Sequence, residues 1–175
     1  PKVPWPDAAS LCPRPGILIH EDVAGTAGSD SVSVHMHPDD ELCGLDAAGA
    51  VQLLRERRLG VLEYTDALLR RIEAQHGLHA LIHVDADRVR AAARTADGTP
   101  QARRGPLHGL PLIVKDNIDV RGMPCTAGSP ALAGHVPAHD AACVERLLGA
   151  GALVLAKANL HEFALGVTSR NGAYG

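Results

Sequence analysis

The residue best placed to do chemistry in this sequence is Lys115, which follows a short apolar run. The run over 110–114 is preceded by glycine and proline and stops at Lys115, Asp116 and Asn117. A short apolar run bounded in this way predicts a strand buried on both faces, as in a mostly parallel sheet. Its last lysine would carry its amine to the carboxyl edge of the sheet, where open α/β sheets usually place their chemistry. A solvated lysine that only marks the end of the strand fits the same pattern.

The sequence contains one weak metal-binding pattern and no disulfide pattern. His35 and His37 are followed by Asp39, Asp40 and Glu41 and could in principle bind a metal, but no predicted scaffold fixes their geometry. An incidental polar run is the preferred interpretation, and we expect no metal. The 4 cysteines are far apart and form no C-x-x-C pair, so we interpret them as small buried hydrophobic residues.

The elements that would position Lys115 alternate between helices and strands. Apolar residues at helical spacing predict helices over about 45–59, 61–76, 85–96 and 139–149. Short apolar runs predict strands over 80–84, 110–114 and 153–156. Gly77 is predicted to end the second helix in a left-handed conformation, and Asp85 to cap the third. A helix-length crossover between two strands is typical of a parallel βαβ unit, so the predicted fold class is α/β.

Composition predicts an ordinary globular domain. The chain has 175 residues, 46% hydrophobic content and a net charge of −3, which suits one domain and does not indicate a nucleic-acid or membrane-surface partner. No apolar run is long enough to span a membrane, and the first residues do not form a signal segment. We therefore expect a cytoplasmic protein. Residues 1–41 are poor in pattern and are predicted to form a flexible or non-native extension, and residues 42–175 the domain.

Three segments of the chain strongly resemble the amidase signature family. They read GPLHGLPLIVKDNID at 105–119, GMPCTAGSPAL at 122–132 and DAACVERLLGAGALVLAKANLHEFALG at 140–166, in the family's order and spacing. The tail from His161, HEFALGVTSRNGAYG, resembles indoleacetamide- and mandelamide-type hydrolases more closely and is also compatible with glutamine-amidotransferase subunits that act on charged tRNA. The resemblance implies the N-terminal part of the amidase signature fold: a mixed, mostly parallel sheet flanked by helices, incomplete in this chain.

The family's chemistry uses a Ser–cis-Ser–Lys triad, and Lys115 matches its lysine. By resemblance, Lys115 is the catalytic base that activates a nucleophilic serine through a bridging serine. A free lysine has a pKa of about 10.4, and burial can lower it by up to roughly 3–5 units. We therefore expect the apolar strand to bury the Lys115 amine, which could then accept the serine proton. The resemblance implies a small-molecule amide substrate and no cofactor, and it leaves a homodimer of the full-length protein open.

Other residues have smaller roles in this interpretation. Ala164 and Val167 match positions that line part of the acyl pocket in the family. Asp116 and Asn117 are expected to support the loop after the strand. Three further candidates are set aside: His108 and His161, because the family mechanism needs no histidine, and Lys157, which is interpreted as a surface or packing lysine.

The sequence departs from the family in one decisive respect. The two glycine- and serine-rich motifs that carry the family's serines do not occur, and neither Ser129 nor Ser169 has their glycine-rich setting. A truncated amide hydrolase, the amidase component of a tRNA-dependent amidotransferase and a non-catalytic remnant therefore remain as alternatives. The downstream reading frame would separate the first two from the third. An incomplete sheet is also expected to leave apolar faces uncovered.

We predict that the 175-residue chain by itself releases no ammonia from small carboxamides, because the serine motifs of the triad do not occur in it. The measurement is an ammonia assay on the purified chain. Turnover that is detectable and is abolished by Lys115→Ala would contradict the prediction.

Overall fold

The computed structural model describes residues 38–168 and 170–175, apart from the side chain of residue 38, and these form a mixed α/β unit. Its helices are α1 Pro38–Cys43, α2 Ala47–Arg55, α3 Val61–Ala74, α4 Ala86–Asp97 and α5 Ala142–Gly149. Its strands are β1 Leu81–His83, β2 Pro111–Lys115 and β3 Leu153–Ala158. The predicted α/β class and the predicted order of the elements are therefore confirmed.

The sheet has three strands in the order β1-β3-β2 within the described residues. β2 and β3 are parallel and are joined by a crossover that contains α5, as predicted for a βαβ unit. β1 pairs with β3 in the antiparallel direction. The central strand β3 is therefore held on both sides by hydrogen bonds, and the carboxyl ends of β2 and β3 meet at one edge.

The register between β2 and β3 shifts within the pair. Leu112 lies opposite Val154, but the next residue, Ile113, lies opposite Ala156. Leu155 is therefore an extra residue on β3, as in a β-bulge. Beyond it, Val114 pairs with Lys157, and Lys115 pairs with Ala158.

The helices α2, α3 and α4 pack together and bury one main apolar cluster. Asp46 and Asp85 begin α2 and α4, and each side chain accepts a hydrogen bond from a backbone amide of the first turn, so the predicted Asp85 cap is confirmed. The α3 helix is capped from a distance, because Asp97 of α4 accepts from the amides of Val61 and Leu62 at 2.8 and 3.0 Å. The buried residues of this cluster are Ala50, Leu54, Leu59, Val61, Tyr64, Ala93, Ala96 and Leu110.

The two faces of the sheet are covered by different elements. Leu155 of β3 packs against Leu69 of α3 and Val89 of α4. Val114 of β2 belongs to a separate cluster formed with α5 and the loop after β2, whose other buried members are Val120, Met123 and Val144. The loop after β2 therefore acts as part of the core.

The prediction that β2 is buried on both faces is wrong in this chain. Ile113 is 53% exposed and Lys115 is also exposed, whereas Val114 between them is buried. Ile113 borders an open groove of about 640 Å³ between α3, β1 and β2, which also contacts Leu78 and Leu81. The helices α3 and α4 cover this face at Leu155 of the central strand but leave Ile113 open on β2, which is the edge strand within the described residues.

Three local predictions are wrong for identifiable reasons. Gly77 lies in a 3₁₀ turn, and the left-handed residue is His79, with φ 50°. The α5 helix begins at Ala142 rather than near 139, because the Asp140 carboxylate accepts instead from the amide of Arg121 at 2.7 Å. Among the cysteines of the described ranges only Cys125 is buried, since Cys43 is half-buried and Cys143 is exposed.

The predicted extension over residues 1–41 lies largely outside the described residues. Its last residues, 38–41, belong to α1, where Asp39 and Asp40 form ion pairs with Arg70 and Arg71 of α3. His35 and His37 of the possible metal pattern fall outside the described part. Among the described helices, none has the length and apolarity needed to cross a bilayer.

We predict that Asp97→Ala lowers the free energy of unfolding by about 1–2 kcal/mol, because it leaves the first amides of α3 without their acceptor. Urea unfolding measures the difference. Glu73→Ala, which removes an exposed carboxylate from the last turn of α3, is the matched control. Equal losses in the two variants would contradict the role of Asp97 as a cap.

A second prediction concerns His108, which is 4% exposed. Burial lowers its pKa below the usual 6.5, and the nearby Arg104 guanidinium lowers the pKa further. The folded chain therefore favours neutral His108, whereas the unfolded chain binds a proton as the pH falls through about 6.5. This contribution to the free energy of unfolding is present above that pH and is lost below it.

Urea unfolding at about pH 7.5 and about pH 5.5 measures the contribution of His108. His108→Leu is expected to show a smaller loss of stability between the two pH values than the unmodified chain. The control His139→Leu, at an exposed position, is expected to keep the full loss. A His108→Leu variant with unchanged pH dependence would contradict the prediction.

Candidate functional site

The candidate site lies at the edge of the sheet where β2 and β3 end. Lys115 is the last residue of β2, and Ala158 opposite it is the last of β3. The loop over 116–129 and the tail over 159–175 both begin at this edge. The amide of Asp116 donates to the Ala158 carbonyl at 3.1 Å, so the pairing of the two strands continues one residue into the loop.

A buried ion pair lies directly behind this edge. Lys157 of β3 and Asp116 are each 0% exposed, and the Lys157 Nζ lies 3.1 Å from the Asp116 Oδ1. This is a contact between opposite charges in which the Asp116 Oδ1 accepts no hydrogen bond, while the ammonium donates one hydrogen bond to the Pro124 carbonyl at 3.2 Å. Buried charges are stable only when they are paired, so the two side chains depend on each other.

The other oxygen of the Asp116 carboxylate holds the loop. Its Oδ2 accepts from the amide and the hydroxyl of Thr126 at 2.8 and 2.5 Å. The Asp116 carbonyl accepts from the amide of Ala127 at 2.9 Å. The loop over 124–127 is thereby attached to the end of β2 through a single residue.

The same set of contacts extends to the tail of the described chain. The side-chain amide of Asn171, a residue 4% exposed, donates to the carbonyls of Gly128 and Leu160 at 2.7 and 2.9 Å. Gly128 has φ +68°, and an added Cβ would lie only 2.7 Å from the Asn171 Nδ2, so a larger residue does not fit there. The amide of Phe163 also donates to the Ala127 carbonyl at 2.8 Å. The loop and the tail therefore form one connected layer over the edge.

Lys115 occupies the predicted edge but is not buried as predicted. Its neighbours Val114 and Asp116 are buried on one face, and because side chains alternate along a strand, Lys115 points to the opposite face. That face is the open one described for Ile113. The expected burial of the Lys115 amine by its own strand is therefore wrong for this chain, because burial at this position depends on what covers the open face.

Lys157 is the lysine that the fold buries. The interpretation of Lys157 as a surface lysine is wrong, whereas its role in packing is confirmed by its complete burial against Asp116. Asp116 supports the loop as expected, but Asn117 is exposed. Sequence reasoning missed the pairing of Lys157 with Asp116. One signal was present, since Lys157 follows an apolar run just as Lys115 does.

The other candidates are spread over the unit. Ser129 is buried, and its hydroxyl donates to the Glu162 carboxylate at 2.6 Å, while Ser169 lies outside the described residues. His108 precedes β2 and so lies at the opposite end of the strand from Lys115. His161 follows β3 at the carboxyl edge, and its buried Nδ1 has no hydrogen-bond partner among the described residues.

The two predicted pocket residues, Ala164 and Val167, are both exposed, and Val167 is 99% exposed. Phe163 and Ala164 adopt left-handed backbone conformations with φ 53° and 59°, which non-glycine residues rarely adopt. The segment is fixed at its start by the bond from Phe163 to the 116–129 loop. Within residues 38–168 and 170–175, no group of three histidine, cysteine or acidic side chains could hold a metal ion.

Comparison with known proteins gives one consistent family. The model of the amidase family matches residues 63–175. A glutamyl-tRNA(Gln) amidotransferase subunit of Anaeromyxobacter sp. (strain K) is 44% identical over 140 residues, which cover 78% of this chain and 28% of that protein. The chain thus spans less than a third of the length of this relative.

Solved structures agree with this result. A crystal structure of an amidase matches with a TM-score of 0.69 and 40% identity, covering 75% of this chain and 30% of that one. The native peptide amidase from Stenotrophomonas maltophilia matches with a TM-score of 0.63 and 39% identity, covering 69% of this chain and 26% of that one. The family model matches more than half of the chain, and the relatives and the fold agree with it. The chain therefore belongs to the amidase family.

Proposed function

We propose that residues 42–175 are the N-terminal portion of a single amidase domain and that Lys115 is the lysine of its Ser–cis-Ser–Lys triad. In the complete enzyme the triad would hydrolyse a small carboxamide to a carboxylate and ammonia. The observation that carries the proposal is the position of Lys115. It ends β2 at the carboxyl edge, within the VKDN segment, and projects from the open face of the sheet.

The open face explains how an exposed lysine could become a base. An amine accepts protons at neutral pH only when its surroundings disfavour the ammonium form. Within the described residues no layer covers Ile113 and Lys115, and the match covers only 28% of the relative's length. A covering layer that also brings the two serines would both bury the amine and place its proton donor beside it.

The chemical step then follows from the residue types. The nucleophilic serine gives its proton through the bridging serine to the Lys115 amine, and its oxygen attacks the amide carbon. The carbon–nitrogen bond breaks, and the nitrogen leaves as ammonia with the proton returned from lysine. Water then releases the carboxylate from the acyl-serine.

Ser129 is not proposed as the nucleophile. Its hydroxyl is 2.6 Å from the Glu162 carboxylate and accepts from the amide of Ala131 at 3.3 Å, so it holds the loop. It is also buried, at 1% exposure. A nucleophile must reach the substrate carbon, and these contacts keep the Ser129 oxygen within the protein.

A second candidate function is that of an amidotransferase component. The specific observation is that similar proteins at 38% and 44% identity are named as glutamyl-tRNA(Gln) amidotransferase subunits. If this chain shares that role, its partners include other subunits and a charged tRNA. The expectation of no nucleic-acid partner, which came from the net charge of this chain alone, therefore gains no support from these relatives.

The test uses a hybrid enzyme, in which a second amidase supplies the covering layer and the serines. Residues of this chain replace the matching segment of the Stenotrophomonas maltophilia peptide amidase, and ammonia release from a peptide amide is measured. We expect an active hybrid in which Lys115→Ala lowers kcat by about 10²–10⁴-fold, the usual contribution of a general base.

Two controls make the result specific. Arg103→Ala removes a charge from the 3₁₀ turn at Gln101–Arg103, remote from the carboxyl edge, and is expected to leave activity unchanged. Circular dichroism checks that each hybrid is folded. A folded hybrid without activity, or one that keeps its activity after Lys115→Ala, would contradict the proposal.

A further inference from the structure

The tail after β3 contains a turn whose backbone conformation its residue types do not favour. Phe163 has φ 53° and Ala164 has φ 59°, and the amide of Leu165 donates to the Glu162 carbonyl at 3.0 Å across them. Two consecutive left-handed residues at the centre of a tight turn are the pattern of a type I′ turn, in which glycine and asparagine are preferred. Phenylalanine and alanine favour the mirror-image type I turn instead. Contacts outside the turn must therefore select the left-handed form.

The hydrogen bonds within the turn do not make this selection. Type I and type I′ turns share the same bond between the first carbonyl and the fourth amide. The bond from the amide of Ala164 to the His161 carbonyl at 2.7 Å likewise joins two residues of the same short segment. The selection therefore depends on contacts that join the segment to another part of the chain.

Two hydrogen bonds within the described residues join the turn to the loop after β2. The amide of Phe163 donates to the Ala127 carbonyl at 2.8 Å, and the Ser129 hydroxyl donates to the Glu162 carboxylate at 2.6 Å. The second distance lies in the range of a hydroxyl bonded to a charged carboxylate, which is stronger than a bond between neutral groups. Two neighbouring residues of the turn are thus attached to loop residues only two positions apart. A single attachment would let the turn rotate about it, whereas two attachments fix its direction.

Ser129 belongs to the ordered part of that loop. It is 1% exposed, its amide donates to the Thr126 carbonyl at 2.9 Å, and Thr126 is bonded to Asp116 at the end of β2. The Ser129 hydroxyl oxygen also accepts from the amide of Ala131 at 3.3 Å and so caps the short turn that follows. Capping uses a lone pair of the oxygen and leaves the hydroxyl proton for Glu162. The serine therefore has one contact within its loop and a separate one with the turn.

We propose that Ser129 and Glu162 are positioning residues whose hydrogen bond holds the left-handed turn at Phe163 and Ala164. The turn then presents these two exposed apolar side chains at the carboxyl edge of the sheet, where Lys115 also lies. In the complete enzyme they would form a fixed apolar wall for the acyl part of the substrate. That consequence rests on the proposed function, whereas the effect on the turn does not and can be measured on this chain alone.

Substitutions of Glu162 separate the hydrogen bond from the charge. Glu162→Met keeps the length of the side chain but removes the acceptor, whereas Glu162→Gln keeps an oxygen that can accept from Ser129. Because Glu162 is exposed, both variants are expected to fold. The matched control Glu145→Met removes an exposed carboxylate from α5.

NMR of the labelled chain reports the turn directly. The coupling between amide and α protons and the carbon shifts of residues 163 and 164 read φ, and hydrogen exchange of the Phe163 amide reads its bond to Ala127. In Glu162→Met we expect the shifts to move toward those of a right-handed or extended backbone. We also expect the Phe163 amide to exchange at least about tenfold faster than in Glu145→Met. Glu162→Gln is expected to keep the φ values and the slow exchange of the unmodified chain.

A double variant tests whether the two residues act through one bond. Ser129→Ala is expected to speed exchange of the Phe163 amide as Glu162→Met does. Combining the two substitutions is expected to add less than about a twofold further change, since the second removes a bond that is already lost. Effects of the two substitutions that multiply in full would contradict the proposal.

The single variants give outcomes that are equally direct. A folded Glu162→Met variant with unchanged φ values and unchanged exchange overturns the proposal. A Glu162→Gln variant that changes as much as Glu162→Met also overturns it, since the charge rather than the hydrogen bond would then hold the turn. A Glu162→Met variant that does not fold overturns it too, because the bond would then be needed for the fold rather than for the turn.

The hybrid enzyme gives a separate readout of the apolar wall. In a hybrid that is active, Glu162→Met is expected to raise KM for the peptide amide by about tenfold with little change in kcat, because loosening the wall removes binding shared by the substrate and the transition state. Glu162→Gln is expected to keep KM close to that of the unmodified hybrid, and Glu145→Met to change neither constant. A changed turn with unchanged KM overturns the role in substrate binding. An inactive unmodified hybrid counts against the proposed function alone, and the NMR result then decides the role of the hydrogen bond in the turn.

Discussion

The structure depends on one buried contact between opposite charges, that of Lys157 with Asp116. A fully buried ammonium and a fully buried carboxylate are each unfavourable alone, so they constrain every arrangement of the strands that carry them. Such a pair adds little net stability compared with apolar residues of the same shape. What it contributes is a specific contact between the end of β3 and the first residue of the loop after β2.

The loop after β2 derives its order from the same contact. The Asp116 carboxylate shares its two oxygens between Lys157 and Thr126, and the loop in turn is bonded to the tail through Gly128 and Asn171. Repeated glycine, proline and serine in this loop therefore do not indicate flexibility. They allow the backbone to approach the edge of the sheet closely, as at Gly128, where a side chain would not fit.

The two faces of β2 differ, because the loop after the strand packs on one face and the other face is open. The residues that point toward α5 and the loop are buried, whereas Ile113 and Lys115 on the other face are exposed. The described part of the chain thus presents Lys115 at the open side of its edge strand. The proposed role of Lys115 rests on this arrangement.

The alternation of apolar and polar segments was enough to predict the α/β class, the order of helices and strands, and the parallel pair β2–β3, because these depend on local periodicity. Several boundaries and caps were also predictable, as at Asp85, since a cap is a contact within one turn. The motifs around Lys115 were enough to indicate the amidase family. Local contacts could not decide the start of α5, because the Asp140 side chain bonds to a backbone amide 19 residues away.

Only the tertiary structure decided which of two similar lysines is buried. Lys115 and Lys157 both follow apolar runs, and nothing in either run distinguishes them. The extra residue at Leu155 sets the face that Lys157 takes, alternation along β2 sets the face of Lys115, and the position of Asp116 gives Lys157 its charge partner. The bulge and the burial of each lysine both arise from contacts between segments that are distant in the sequence. For this reason the sequence predicted that the strands end at one edge of the sheet, but it did not predict which lysine at that edge is buried.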